Sequence, residues 1–310
     1  MGYLSRDMIF REFDPLHVPK IERTFCVLHI SSFLQSHNIE KWDVNDKDSE
    51  ENWIKHVKSR AKTNFLCLKY TINDLLSKKA SENDCRIDII ISVNGHIEEP
   101  EYIDYLRDIN GKSNGCYHIT IFQRQNIGFQ WGGFHDVWLR YKDVECNWYA
   151  TMEGDCALSE YWFDIASKSI EYNTEIGFNG QPNTTKNGNL IPRGVHCDQN
   201  AIDVKNFYDA SDRIQRPIPI GVFRDQDNGF YRYHSMINTC HTRGGFYFCK
   251  KEMLENIDDT YGCFTHSMGC NHSFDGIILG EVCFCQKITT LGWKWTTSPN
   301  VCTDISDEDL

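Results

Sequence analysis

Three short stretches of the chain hold residues whose types and spacing suit chemistry. The first is Thr151-Met-Glu-Gly-Asp-Cys156. In an extended backbone alternate residues share a side, so Glu153 and Asp155 point the same way and Gly154 leaves room between them. Two carboxylates at that separation suit one hard divalent cation. Mg²⁺ or Mn²⁺ is typically held by one or two carboxylates together with substrate phosphates. The second stretch runs from Arg124 to Phe134, with glycines at 128, 132 and 133 that permit tight turns and close approach of the backbone to a ligand. It is neither a dinucleotide fingerprint nor a phosphate loop with its lysine. The third begins at Gly244-Gly-Phe246 and continues to a segment from Phe274 to Trp295, where Glu281 opens an amphipathic helix ending at Gly292. An acid at a helix start suits the macrodipole, and it serves as a general base where the fold brings it to a cleft.

The elements that must position these residues follow from the hydrophobic periodicity. Residues 24–31 read as a buried strand, short, apolar and free of Gly and Pro. Residues 48–80 are charged and helical, with Trp53, Ile54, Val57 and Ala61 on one face. Residues 86–95 form an isoleucine-rich strand stopped by Asn-Gly. A helix from Glu98 to Ile109 follows, with Pro100 in its first turn. The pattern then repeats: strand 117–123, helix 131–143, strand 147–152. Strands alternating with helices predict βαβ units and a mainly parallel sheet, whose ligand site lies at the carboxyl ends of the strands. The strand-end residues are His29, Ser31, Asn94, Gly95, Gln125, Asn126, Glu153 and Asp155. From about residue 178 the texture becomes turn-rich, so a second half shapes one side of the cleft.

Composition bounds the partners. The chain has 310 residues, 40% of them apolar, and 32 basic against 44 acidic residues leave a net charge of −12. A protein that binds duplex nucleic acid must displace counterions with many cations, and here the sign is wrong, so no nucleic-acid partner is expected. The longest apolar run, 87–93, is interrupted by Asp88 and is far short of a membrane span. The first ten residues hold no apolar signal core. A cytoplasmic protein with its fourteen cysteines reduced is expected. Cys263, His266, Cys270 and His272 form a candidate zinc cluster, although their spacing matches no common structural pattern. His196, Cys197 and Asp198 share only the composition of a hydrolase triad, with nothing to order their roles.

In their order along the chain the three stretches resemble the GT-A glycosyltransferases, most closely the inverting family-two type. Those enzymes carry an Asn-x-Gly turn before a helix, matched by Asn126-Ile-Gly128. They carry a strand ending in Asp-x-Asp, matched by Glu153-Gly-Asp155 with Glu in place of the first Asp. Gly244-Gly245-Phe246 matches their Gly-Gly-aromatic segment. Glu281 falls on the position of the catalytic acid, counted back from Gly292-Trp293, with Gly280 in place of the preceding Glu. The resemblance covers residues 24–295, with an insertion at 31–85 longer than the usual first crossover.

The resemblance implies a GT-A fold: an α/β, Rossmann-like, mixed but mainly parallel sheet flanked by helices. After an N-terminal arm (1–23) would come a nucleotide-sugar half (24–195) and an acceptor half (196–310) of one domain. It implies a nucleoside-diphosphate sugar as donor and a glycan or other hydroxyl as acceptor. His29, Ser31, Phe33, Asn94 and Gly95 would flank the nucleotide, with Asn126, Gly128 and Gly154 at the turns. Arg124, Arg193 and Arg243 are alternatives for the diphosphate. Glu153 and Asp155 would bind Mn²⁺ or Mg²⁺, and Glu281, with Asp275 in reserve, would deprotonate the acceptor in an inverting displacement. Trp131, Tyr231, Tyr233, Phe246, Trp293 and Trp295 are candidates to stack on the acceptor sugar. A carbohydrate-binding or catalytically inactive relative is the alternative reading.

Overall fold

The computed structural model describes residues 9–12, 23–39, 49–126, 128–171, 176–181, 222–224, 231–233, 243–262, 264, 284, 287–288, 291–297, 301–306 and 309–310. Its elements run in the order β1 (Ile9–Glu12), β2 (Cys26–Phe33), α1 (Glu50–Ser77), β3 (Ile87–Asn94), α2 (Pro100–Ile109), β4 (Ser113–Asn114), β5 (Tyr117–Arg124), α3 (Phe129–Tyr141), β6 (Trp148–Glu153), β7 (Cys156–Leu158) and α4 (Trp162–Glu171). There follow β8 (Ile176–Gln181), β9 (Val222–Arg224), β10 (Tyr231–Tyr233), β11 (Arg243–Lys250), α5 (Lys251–Tyr261), β12 (Lys294–Thr297) and β13 (Cys302–Asp304).

Nine of these strands form one mixed sheet in the order β1-β5-β3-β2-β6-β11-β8-β12, with β4 appended to β5. Its centre, β5-β3-β2-β6, is parallel throughout, in the register Cys26↔Ile87 and Cys26↔Trp148. Strand β11 runs antiparallel to both β6 and β8, while β12 returns parallel to β8. The expected α/β, mainly parallel sheet of Rossmann-like type is therefore present. The segment read as an N-terminal arm contributes β1, an antiparallel edge strand on β5.

Both faces of the sheet are covered, which is why β3 is buried along its whole length. The strand period of two sorts its residues between two cores. Ile87, Ile89, Ile91 and Val93 join one side, packed with Phe65, Leu68 and Ile72 of α1, Leu106 of α2 and Trp162 of α4. Ile90 joins the other, with Trp131, Phe134 and Trp138 of α3 and Met253, Leu254 and Ile257 of α5. Each such aliphatic side chain contributes about 1.5–3 kcal/mol on burial.

Helix α1 begins where Ser49 accepts from the Asn52 amide, with Glu50 and Glu51 in its first turn. Its buried stripe contains the expected Trp53, Val57 and Ala61 and continues to Leu75. Helix α3 sits unusually close to the sheet. A Cβ on Gly133 would lie 2.4 Å from Ser92 Oγ and 2.8 Å from His29 Nε2, so only glycine fits. The close approach expected of this glycine is thus made to strands β2 and β3 rather than to a ligand. Among the described residues, no helix is long and apolar enough to cross a membrane.

Candidate functional site

From β2 the chain steps to β3 and then β5 on one side, and returns on the other side of β2 to form β6. Ligands of open α/β sheets bind at such a reversal, outside the carboxyl ends of the strands, because the flanking connections diverge there. A cleft of about 570 Å³, including the solvent at its mouth, opens at this point. Ser31, Ser32 and Phe33 close the end of β2, Asn94 that of β3, and Glu153, Gly154 and Asp155 that of β6. Asn126, Phe129 and Gln130 come from the turn into α3, and Arg60 and Asn64 from α1.

The acidic turn is anchored by its glycine. The Gly154 amide donates to Ser31 O at 2.7 Å, and its carbonyl accepts from Thr71 Oγ1 at 2.9 Å. A Cβ there would meet Ser31 O and Ser32 Cβ at 3.2 Å. Strand β6 ends at Glu153, so Asp155 lies in the following turn and not in an extended strand; both side chains are nonetheless exposed on the same cleft. The turn is held from beyond by β13, which pairs with β7 and whose continuation donates from Ile305 N to Asp155 O at 2.8 Å. The protein packed around Asp155 pushes its carboxyl above the ordinary range, and Asp304 adds to the rise. Hydrogen bonds from its own amide and the Cys156 thiol, together with the Arg60 charge, oppose it.

Under the cleft floor lies a buried polar network. Arg124 is 0% exposed; its Nε donates to Asp136 Oδ2 at 2.6 Å and its Nη1 to Asn94 Oδ1 at 2.8 Å. Asn94 Nδ2 in turn donates to Ser31 Oγ at 2.9 Å. These bonds fix the face that Asn94 and Ser31 present to the cleft. Burial lowers Arg124 and raises Asp136, and their mutual attraction opposes both shifts. His29 is equally buried, its Nδ1 2.7 Å from Thr151 Oγ1 and its Nε2 2.8 Å from Ser92 Oγ. Burial, reinforced by the Arg124 charge, lowers its pKa to about 3, so the ring is neutral at ordinary pH.

Of the strand-end residues expected at a ligand, Ser31, Phe33, Asn94, Asn126, Gly154, Glu153 and Asp155 line the one cleft. His29 does not, because its side chain points into the sheet–helix interface. Arg124 is no partner for a diphosphate, being enclosed with Asp136. Gly95 turns the chain at φ +100°, its missing Cβ replaced by the close approach of Gln35. Gly128 is the left-handed N-cap of α3 at φ 74°. Trp131 and Phe246 are core residues, 2% and 1% exposed, and not stacking platforms. Trp293 is half-buried, with Lys250 Nζ 5.9 Å from its ring centre. Glu281, Asp275, Arg193, the 196–198 triplet and the Cys263–His272 cluster lie outside the described residues, as do the side chains of Arg243, Tyr231, Tyr233 and Trp295.

Sequence reading missed Ser32, Arg60, Asn64, Phe129 and Gln130. Arg60 stands among several cations of α1 and nothing in its neighbours marks it. Phe129 carries a signal only in three dimensions. It holds φ 50°, a conformation rare for a bulky residue and concentrated at functional sites.

No protein-family model matches the chain, and no curated protein matches its sequence.

Proposed function

We propose that the protein is a metal-dependent glycosyltransferase of the GT-A type that binds a nucleoside-diphosphate sugar in the cleft at the ends of β2, β3 and β6. One observation carries the reading. Residues chosen from four distant segments, Ser31, Asn94, Asn126 and the Glu153–Asp155 turn, border a single cleft at the reversal point of the sheet. The Gly-Gly-aromatic segment supports it as well, since β11 lies beside β6, with Phe246 opposite Met152.

The donor set suits a hard divalent cation. Glu153 and Asp155 are both exposed on the cleft, where their carboxylates can meet a cation. Two carboxylates with phosphate oxygens are a usual Mg²⁺ or Mn²⁺ environment. When bound, that ion offsets negative charge on a departing diphosphate. Phe33 and Phe129 line the cleft and offer aromatic surface for a flat ring, and the Asn94–Ser31 hydrogen bond orients polar contacts beside it. Glu281, or Asp275, is assigned the acceptor's proton on the resemblance alone.

The test is thermal-shift titration of the full chain with UDP, GDP, dTDP and CMP, each with and without Mn²⁺. A ligand that binds only the native state raises the midpoint with concentration over Kd. One nucleotide is expected to stabilise only with metal, and Asp155→Ala to abolish the shift. Absence of any shift would sink the reading. Donor hydrolysis in the presence of Mn²⁺ then separates an enzyme from an inactive sugar-binding relative.

A further inference from the structure

The cleft in which an anionic ligand would bind is lined by two carboxylates, Glu153 and Asp155. Among the described residues lining the cleft, the one cationic side chain is Arg60. It stands on α1, within the long first crossover, and its charge acts on Asp155. Four residues on, and so on the same side of the helix, Asn64 Nδ2 donates to Phe33 O at 2.9 Å. That bond ties α1 to the end of β2 and keeps Arg60 over the cleft. The guanidinium is solvent-exposed, unlike Arg124, which is spent on Asp136 and Asn94.

A second feature points to a ligand independently. Ser32 is 4% exposed, its Oγ has no hydrogen-bond partner, and it lines the same cleft. The Asn126 amide oxygen, on the same cleft, is likewise buried without a partner. Buried polar atoms are almost always satisfied, so two orphans facing one cavity mark places where ligand atoms complete the bonding. Gly154 keeps the path open, because a Cβ there would press to 3.3 Å from Ser32 Oγ.

We propose that α1 is a wall of the ligand site: Arg60 binds the terminal phosphate of a nucleoside diphosphate, while Ser32 Oγ and the Asn126 amide oxygen bond its uncharged part. The proposal rests on the nucleotide reading above and extends it to a helix that none of the motifs behind that reading contains. A guanidinium presents paired donors that match phosphate oxygens. An unpaired acceptor such as the Asn126 oxygen needs a hydroxyl or N–H, which the sugar and base supply.

Isothermal titration of the full chain in Mn²⁺ tests this, using the diphosphate and monophosphate of whichever base the unmodified protein binds. Arg60→Ala is expected to weaken the diphosphate about 10- to 100-fold, the usual worth of a charged hydrogen bond. The monophosphate should change less than about threefold, so the preference for the second phosphate collapses, and Arg60→Lys recovers part of it. Ser32→Ala is expected to weaken both nucleotides by the same factor, about 2- to 10-fold. Unliganded melting midpoints equal to that of the parent show that the variants fold. Diphosphate affinity unchanged in Arg60→Ala, or equal losses for both nucleotides, overturns the assignment while leaving the nucleotide reading intact. If the unmodified protein binds no nucleotide, that reading falls and this one with it.

Discussion

The floor and the rim of the cleft are both built from polar residues at or beside the carboxyl ends of the strands, yet they obey opposite physics. Floor residues His29, Ser92, Asn94, Arg124 and Asp136 are each between 0% and 6% exposed and bond to one another. Removing one partner there strands another without water. Rim residues Arg60, Glu153 and Asp155 face solvent, where truncation costs little because water replaces what is lost. A strand end therefore divides its polar residues into those enclosed to hold the shape and those exposed where a ligand can reach them. Sequence position alone treats the two groups alike.

The sharpest way to break this comparison is Arg124→Met. It leaves Asp136 buried without its partner, and the expected loss is about 3–5 kcal/mol in urea denaturation. A loss below about 1 kcal/mol would show that the floor is not a tightly coupled buried network. Acid offers a second probe. His29 titrates at about 3 in the folded protein against 6.5 ordinarily, so the unfolded chain takes up its proton first. The stability this neutral ring contributes is full above pH 6.5 and is lost as pH falls toward 3. Between pH 7 and pH 5 that amounts to about 2 kcal/mol. His29→Gln should show a correspondingly shallower decline over the same range.

Gly133→Ala tests the closeness of α3 to the floor. Its Cβ would collide with Ser92 Oγ, and overpacking of this kind costs about 1–3 kcal/mol. An unchanged midpoint would mean the helix can retreat. At the small end, Asp155→Ala is expected to change unliganded stability by no more than about 0.5 kcal/mol. The same variant should lose all metal-dependent stabilisation by nucleotide. Large destabilisation by Asp155→Ala would place it with the floor and remove the distinction.

Much of the scaffold was readable in the chain. The isoleucines of 87–93 mark β3, Pro100 opens α2 as expected, and the apolar spacing from Trp53 to Ala61 announces α1. These follow from local rules, since period, capping and turn chemistry act over a few residues. The acidic turn at 153–155 was equally legible, as was its place at a strand end, because a βαβ order confines ligand-facing residues to carboxyl ends. His29, Arg124, Trp131 and Phe246 were the misreadings. Each has the chemistry of a binding residue, and only the packing of helices onto the two faces of the sheet encloses it.

What the sequence determined by itself was the alternation of strands and helices between residues 24 and 152, the parallel pairing that alternation implies and the acids at the end of β6, all of them consequences of local periodicity. Tertiary structure alone decided which polar side chains meet water. That depends on which helix covers which strand, and no window of sequence contains both. Arg60 shows the point most simply. It lies 95 positions before Asp155 and reads as one surface cation among many, until α1 crosses the end of β2 and sets it over the cleft.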